Sequence, residues 1–230
     1  MPRRNGAWCC AGRGDAGGAV ALAELCRGYW YPLYAYVRRR TGNPHDAQDL
    51  TQAFFAELLE HEKLAAALPE RGKFRAFLLT ALRNFLVNEH ERATAKKRGG
   101  DAAVLSLDFA DGESRWNLEP YSEETPERIF EREWTLTLLT HVLERLREEH
   151  EIAGKSELFA ALRGTLDGSS GETSYSEIAA KLGLSNDAAR QAAARLRRRY
   201  RELLRAEVLR TVAEPADVDA ELRGLLENLR

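Results

Sequence analysis

Cysteine is scarce in this chain. Only Cys9, Cys10 and Cys26 occur in 230 residues, an adjacent pair plus one distant thiol. That spacing fits neither a disulfide framework nor a zinc site. The five histidines, His45, His61, His90, His141 and His150, show no metal or triad spacing, and Cys26 has no partner in sequence. Nothing therefore marks an enzyme, and no cofactor, metal or small-molecule substrate is expected. Long apolar runs are also missing. None approaches the roughly 20 residues needed to span a bilayer, and the start MPRRNGAWCCAGRG is basic without a secretory apolar core. The expectations are no membrane partner and a cytoplasmic location. Charge of one sign is lacking too. The formal net charge is -2, so any nucleic-acid surface must be local.

What is present is helical. Strand-like stretches are few, and Ala, Leu, Arg and Glu dominate. This composition reads as an all-α fold with one or two domains and a real core.

The most informative stretch is SYSEIAAKLGLSNDAARQAAARLRRRYRELL, which has the grammar of a helix-turn-helix. Ser174 and Glu177 stand at capping-box spacing. Ile178, Ala179 and Leu182 mark an inner face, and small Ala179 lets a second helix cross closely. Gly183 suits a turn with positive φ, Leu184 is expected to plug back into the core, and Ser185 caps the second helix. On that helix Ala189, Ala192, Ala193, Leu196, Tyr200 and Leu203 recur at inward spacing. From Arg190 to Arg205 there are seven arginines and one acidic residue, Glu202. Early Arg and Gln with later arginines suit a DNA major groove, the first reaching bases and the others phosphates. The bland alternative is a solvated basic helix in a bundle.

The rest of the chain reads as follows. Residues 1–18 are expected to be loosely ordered. Leu22, Leu25, Tyr29, Leu33 and Val37 mark one or two helices interrupted near Pro32, with a dense aromatic group that is either core or a partner surface. Ala47, Leu50, Phe54, Leu58 and Leu59 form the stripe of the next helix, and Asp46, Asp49, Gln52 and Glu57 lie off it. A third helix carries Phe74, Phe77, Leu78, Ala81, Leu82, Phe85 and Leu86. Its basic end with Gly99-Gly100 is a helix stop or a phosphate site. An acidic stretch with Pro120 and Pro126 follows and reads as a solvated, flexible tether. Phe130, Trp134, Leu138, Val142, Leu143 and Leu146 predict one long helix. The tail, with Val218, Leu222, Leu225, Leu226 and Leu229, is a docking helix or a partner-binding one.

DAQDLTQAFFAELL, RGKFRAFLLTALRNFLVNE and the helix-turn-helix, in that order, resemble the sigma-70 family, specifically its extracytoplasmic-function (ECF) type. YWYPLYAYVRRR, AKKRGG and RTVAEPADVDAEL resemble a subgroup common in Planctomycetes-like bacteria. The resemblance covers roughly residues 20 to 222. It implies two helical domains, sigma-2-like and sigma-4-like, joined by a flexible linker. The expected division is a sigma-2-like domain at 19–100, an acidic linker at 101–128, a sigma-4-like helix-turn-helix domain at 129–212 and a tail helix at 213–230.

The resemblance also implies partners and roles. The chain would bind core RNA polymerase, through its β and β′ subunits, and promoter DNA, and an anti-sigma factor or other regulator would control it. Asp46, Asp49, Leu50, Gln52 and Phe55 would bind the polymerase. Arg71, Lys73, Phe74, Phe77, Arg83, Asn84, Asn88, Arg92, Lys96 and Lys97 would melt and read the −10 element. Phe77 stands where many relatives have Trp, and Asn88 where they often have Asp. Ser185, Asn186, Asp187, Arg190, Gln191, Ala194, Arg195, Arg197 and Arg198 would read the −35 element. The linker would thread the polymerase near its active-site and RNA-exit channels. The competing class is a stand-alone dimeric helix-turn-helix regulator, but nothing in the first half suggests a ligand pocket or receiver domain.

Overall fold

A computed structural model describes residues 16–60, 73–95, 107–118, 123–166 and 175–229. Among these the fold is all-α, without a strand. The helices are α1 (Ala16–Thr41), α2 (Pro44–Glu60), α3 (Phe74–Ala95), α4 (Phe109–Leu118), α5 (Pro126–Ile152), α6 (Ser156–Leu162), α7 (Tyr175–Leu182), α8 (Asn186–Leu209) and α9 (Val218–Glu227). Residues 1–15 of the stretch expected to be loosely ordered, and Ser174, Arg71, Lys96 and Lys97, lie outside the described residues. Among the described residues no helix is long and apolar enough to cross a membrane.

The chain forms two compact units. The first joins 1–137 to 208–230, and the second is 138–207. The start of α5, up to Thr137, and the residues from Val208 onward thus belong to the first unit. The cause is aromatic packing. Trp134 is fully buried in the first unit. It stacks on Tyr29 at 4.2 Å between centroids and also meets Phe74 at 6.2 Å and Phe130 at 5.8 Å. Such pairs add about 0.5–1.5 kcal/mol each beyond area burial, so the start of α5 is held with α1 and α3.

Within the first unit, α1 kinks where the sequence placed Pro32. Tyr29 has non-helical φ −120 and ψ 20, because the proline ring crowds the carbonyl four residues back and removes one N–H. Gly42, at φ +69, lets the chain reverse. The Asn43 side chain then accepts the His45 N–H at 2.9 Å, and Pro44 opens α2. α2 buries Ala47, Phe54, Phe55 and Leu58, and α3 buries Phe74, Leu78, Leu82 and Phe85. The Phe54 and Phe85 rings meet at 5.6 Å.

The flexible linker is corrected for part of its length. Residues 109–118 are helical and packed on α1. Asp108 starts this helix by accepting the Asp111 N–H at 3.0 Å. Glu113 pairs with Arg38 at 3.0 Å and accepts the Tyr34 hydroxyl at 2.5 Å. The Arg115 guanidinium lies 3.6 Å over the Tyr31 ring, and Phe109 meets Trp30 edge-on at 5.4 Å. Burial pushes the Tyr34 hydroxyl far above its ordinary value, and Glu113 adds to that shift. The helix is held by aromatic and charged contacts rather than by an apolar stripe of its own.

In the second unit, Leu138, Val142 and Leu146 of α5, Phe159 and Leu162 of α6, and Ile178 and Ala179 of α7 are buried. Ala189, Ala192, Ala193, Leu196 and Leu203 of α8 complete this core. Outside it, Arg199 binds Glu149 through two hydrogen bonds, at 2.6 and 2.8 Å.

Candidate nucleic-acid interface

The α7–turn–α8 element is built as its residue types require. α7 ends in a left-handed Gly183, φ +64. The Leu184 N–H reaches the Ala179 carbonyl at 2.9 Å, and the Gly183 N–H reaches Ala180 at 3.4 Å. This is the double closure of a Schellman turn. Ser185 caps α8, its hydroxyl accepting the Ala188 N–H at 3.2 Å. Leu184 corrects an expectation: it is 40% exposed rather than inserted in the core. Its main chain closes the turn while its side chain stays near solvent.

α8 divides cleanly into faces. Ser185, Asn186, Asp187, Arg190, Gln191, Ala194, Arg195 and Arg198 are exposed, opposite the buried alanines. Arg197 is half-buried and donates to the Tyr175 hydroxyl at 3.1 Å. The Arg190 guanidinium lies 6.0 Å from the centroid of that same ring. Tyr175 thus sits between one cation of the first turn and one farther along. Arg198 pairs with Glu202 at 3.0 Å.

α2 presents the expected acidic face in part. Asp46 and Asp49 are exposed, and Leu50 and Gln52 half-buried. Phe55 departs from expectation, for it is 1% exposed and packs beside Phe54 at 5.7 Å. It supports the face from below and cannot itself meet a partner.

α3 is mixed. Arg83, Asn84, Asn88 and Arg92 are exposed, as is Val87 between them. Phe77 is half-buried, whereas Phe74 is 2% exposed and belongs to the core. The cations are engaged. Arg83 pairs with Glu127 at 2.5 Å and donates to the Tyr36 hydroxyl at 3.4 Å. Arg92 pairs with Glu89 at 2.7 Å, and Lys73 with Glu221 at 2.6 Å.

Arg75 and Glu221 escaped the sequence reading. Both are buried and bonded to one another at 2.7 Å. One signal was present: Glu221 stands three residues after Val218 and four before Leu225, on the stripe that α9 buries. The predicted tail stripe is otherwise split, since Val218 and Leu225 are buried while Leu226 and Leu229 are exposed.

Residues 29–96 match the family model for sigma-70 region 2. The matched stretch takes in α1 from Tyr29 onward, α2 and α3, under a third of the chain, and these helices are similar to a sigma-70 region 2 domain. No curated protein and no solved structure matches the chain significantly.

Proposed function

We propose that this chain is an RNA polymerase sigma factor of the ECF type. It binds core RNA polymerase, directs it to promoters and performs no chemistry of its own. The observation that carries the reading is the region 2 match over residues 29–96. The second unit supports it, because a capped helix pair there presents Arg190, Gln191, Arg195 and Arg198 to solvent on one side.

In this reading the work is divided. Asp46, Asp49, Leu50 and Gln52 meet the polymerase clamp, and the core enzyme is engaged through its β and β′ subunits. The exposed face of α3 takes the −10 element, where a base leaves the stack and needs apolar walls with polar donors. Phe77, Asn84, Val87 and Asn88 offer that mixture. The α7–α8 pair is a sigma-4-like helix-turn-helix and reads the −35 element. The protein acts in the cytoplasm, and an anti-sigma factor or other regulator controls it.

The test is reconstitution. Purified chain is mixed with bacterial core polymerase and a promoter library, and transcript starts are mapped. Association with core and starts at a shared two-element promoter are expected. Tight operator binding without any core association would replace this reading with the dimeric regulator.

A further inference from the structure

The first unit contains an arrangement that packing alone does not require. Three cations at or on α3, Lys73, Arg75 and Arg83, face carboxylates that all come from beyond residue 120. Glu221 of α9 accepts Arg75 Nε at 2.7 Å and Lys73 Nζ at 2.6 Å, and is itself only 2% exposed. Glu131 of α5 pairs with the other arm of Arg75, and Glu127 takes Arg83 at 2.5 Å. The main chain takes part as well. The Phe74 N–H, one of the donors at the start of α3 that the helix itself does not satisfy, is bound by the Thr211 carbonyl at 2.9 Å. At the far end of α9, the Thr135 hydroxyl donates to the Leu225 carbonyl at 3.3 Å and Asn228 Nδ2 to Glu131 at 3.3 Å.

A helix that docked only to bury apolar surface would do as well with Leu at 221. A buried ion pair rarely stabilises more than an apolar pair of the same volume. Its best-attested use is to fix register or to serve as a switch. The groups engaged here are also those that phosphate would engage: a lysine, an arginine fork and a helix N-terminal N–H.

We propose that the C-terminal segment 211–228 is an intramolecular competitor for nucleic acid. Docked, its Glu221 carboxylate and Thr211 carbonyl occupy the phosphate-binding groups at the start of α3. Released, it leaves Lys73, the Phe74 N–H and the arm of Arg75 that Glu221 held to the backbone of single-stranded promoter DNA, while Glu131 of α5 keeps the other arm. This rests on the assignment of α3 to the −10 element and adds a regulator of that site within the same chain.

Two full-length variants test it. Glu221→Gln keeps the shape and removes the charge. Leu225→Asp breaks the apolar contact of α9 and adds negative charge, so tighter DNA binding by it cannot arise from charge. Hydrogen exchange over 218–227, against 29–58 as the control, reports release without unfolding. Fluorescence anisotropy with a labelled single-stranded −10 oligonucleotide reports affinity at two salt concentrations. Both variants are expected to release the tail. If the tail is docked about nine-tenths of the time, each should bind roughly tenfold tighter. The log–log salt slope should be steeper for the variants than for the unaltered chain, because salt weakens the ion pairs that hold the parent's tail and so partly offsets its loss of DNA affinity. Release with unchanged affinity overturns the proposal. Retention of the tail in both variants also overturns it, since a competitor must leave. Failure of the unaltered chain and of both variants to bind core polymerase removes the sigma reading itself. Normal core binding with no gain in DNA affinity removes only the competitor.

Discussion

Gly112 of α4 lies directly against the Trp30 indole of α1: a Cβ built on Gly112 would stand 2.5 Å from Trp30 Cη2. The glycine is thus required by close approach. Trp30 has little room to withdraw, because Phe109, Tyr31 and Tyr34 surround it at centroid distances of 5.4 to 5.9 Å. Gly112→Ala sets two effects against each other. Alanine gains about 1 kcal/mol of helix propensity, and overpacking costs about 1–3 kcal/mol. The clash should win, for a net loss of about 1 kcal/mol and a Tm lower by about 2–4 °C. Urea unfolding followed by tryptophan fluorescence measures it. A variant more stable than the parent would show that the indole yields.

That contact also explains what the sequence could and could not convey. The helices at 44–60, 74–95 and 186–209 were legible because each buries its own apolar stripe at helical spacing. The turn at Gly183 and the cap at Ser185 were legible from local chemistry alone. Helix α4 was not, since its burial is supplied by Trp30, Tyr31 and Tyr34 of another helix, and its own contribution is Phe109, a glycine and two charges rather than a periodic apolar stripe. Trp134 lies on the helical stripe that its spacing predicts. Which unit would receive it depended on a stack with Tyr29, a contact 105 residues away in sequence. Phe55 lies next to the main stripe, and periodicity alone did not reveal its burial. Exposed Asp46, Asp49 and the α8 cations were legible because solvent-facing charge follows directly from period.

Acid should loosen this fold through identifiable groups. Hydrogen bonds from arginines hold the Glu113, Glu127 and Glu149 carboxyls below their usual range. For Glu221 burial pushes upward, yet Arg75 and Lys73 together outweigh it, and its carboxyl also ends below the usual value of 4.5. A carboxyl depressed in the folded state contributes stability that is complete above its unfolded pKa and lost as pH falls through its folded one. The urea midpoint should therefore hold from pH 7 to about 5 and decline below about 4.5. Glu221→Gln should be less stable than the parent at pH 7 and show a shallower decline in acid. Parallel declines for the two proteins would mean that Glu221 titrates alike folded and unfolded.

The polymerase-binding assignment on α2 is best tested at Asp49. Asp46 sits in the first turn, where a carboxylate stabilises the helix by about 0.3–1 kcal/mol. Its removal would mix folding with binding. Asp49 is exposed and farther along, and Gln52 lies one turn on. Asp49→Ala with Gln52→Ala should weaken core affinity by about 1–2 kcal/mol, or roughly tenfold, with Tm nearly unchanged. Surface-immobilised core polymerase and a thermal melt give both readouts. A matching fall in Tm would assign these residues to bracing the helix.

If α8 reads the promoter as proposed, its cations should separate into two kinds. Arg190 and Gln191 lie in the first turns, exposed and opposite Ala189 and Ala193. Arg190 is near the Tyr175 ring, which limits its wandering and favours a fixed reach toward base edges. Arg190→Ala should cost about 1–3 kcal/mol and relax preference at one or two promoter positions. Arg198 stands two turns farther on and is paired with Glu202. An exposed pair of that kind holds only about 0.2–1 kcal/mol, so phosphate can displace the carboxylate. Arg198→Ala should then weaken all sequences alike and make the log–log salt slope shallower by about 0.9. Both variants are assayed as holoenzyme against a promoter library at two salt concentrations. Equal loss on every sequence by Arg190→Ala would make Arg190 a phosphate contact, and α8 would have to enter the groove in another orientation.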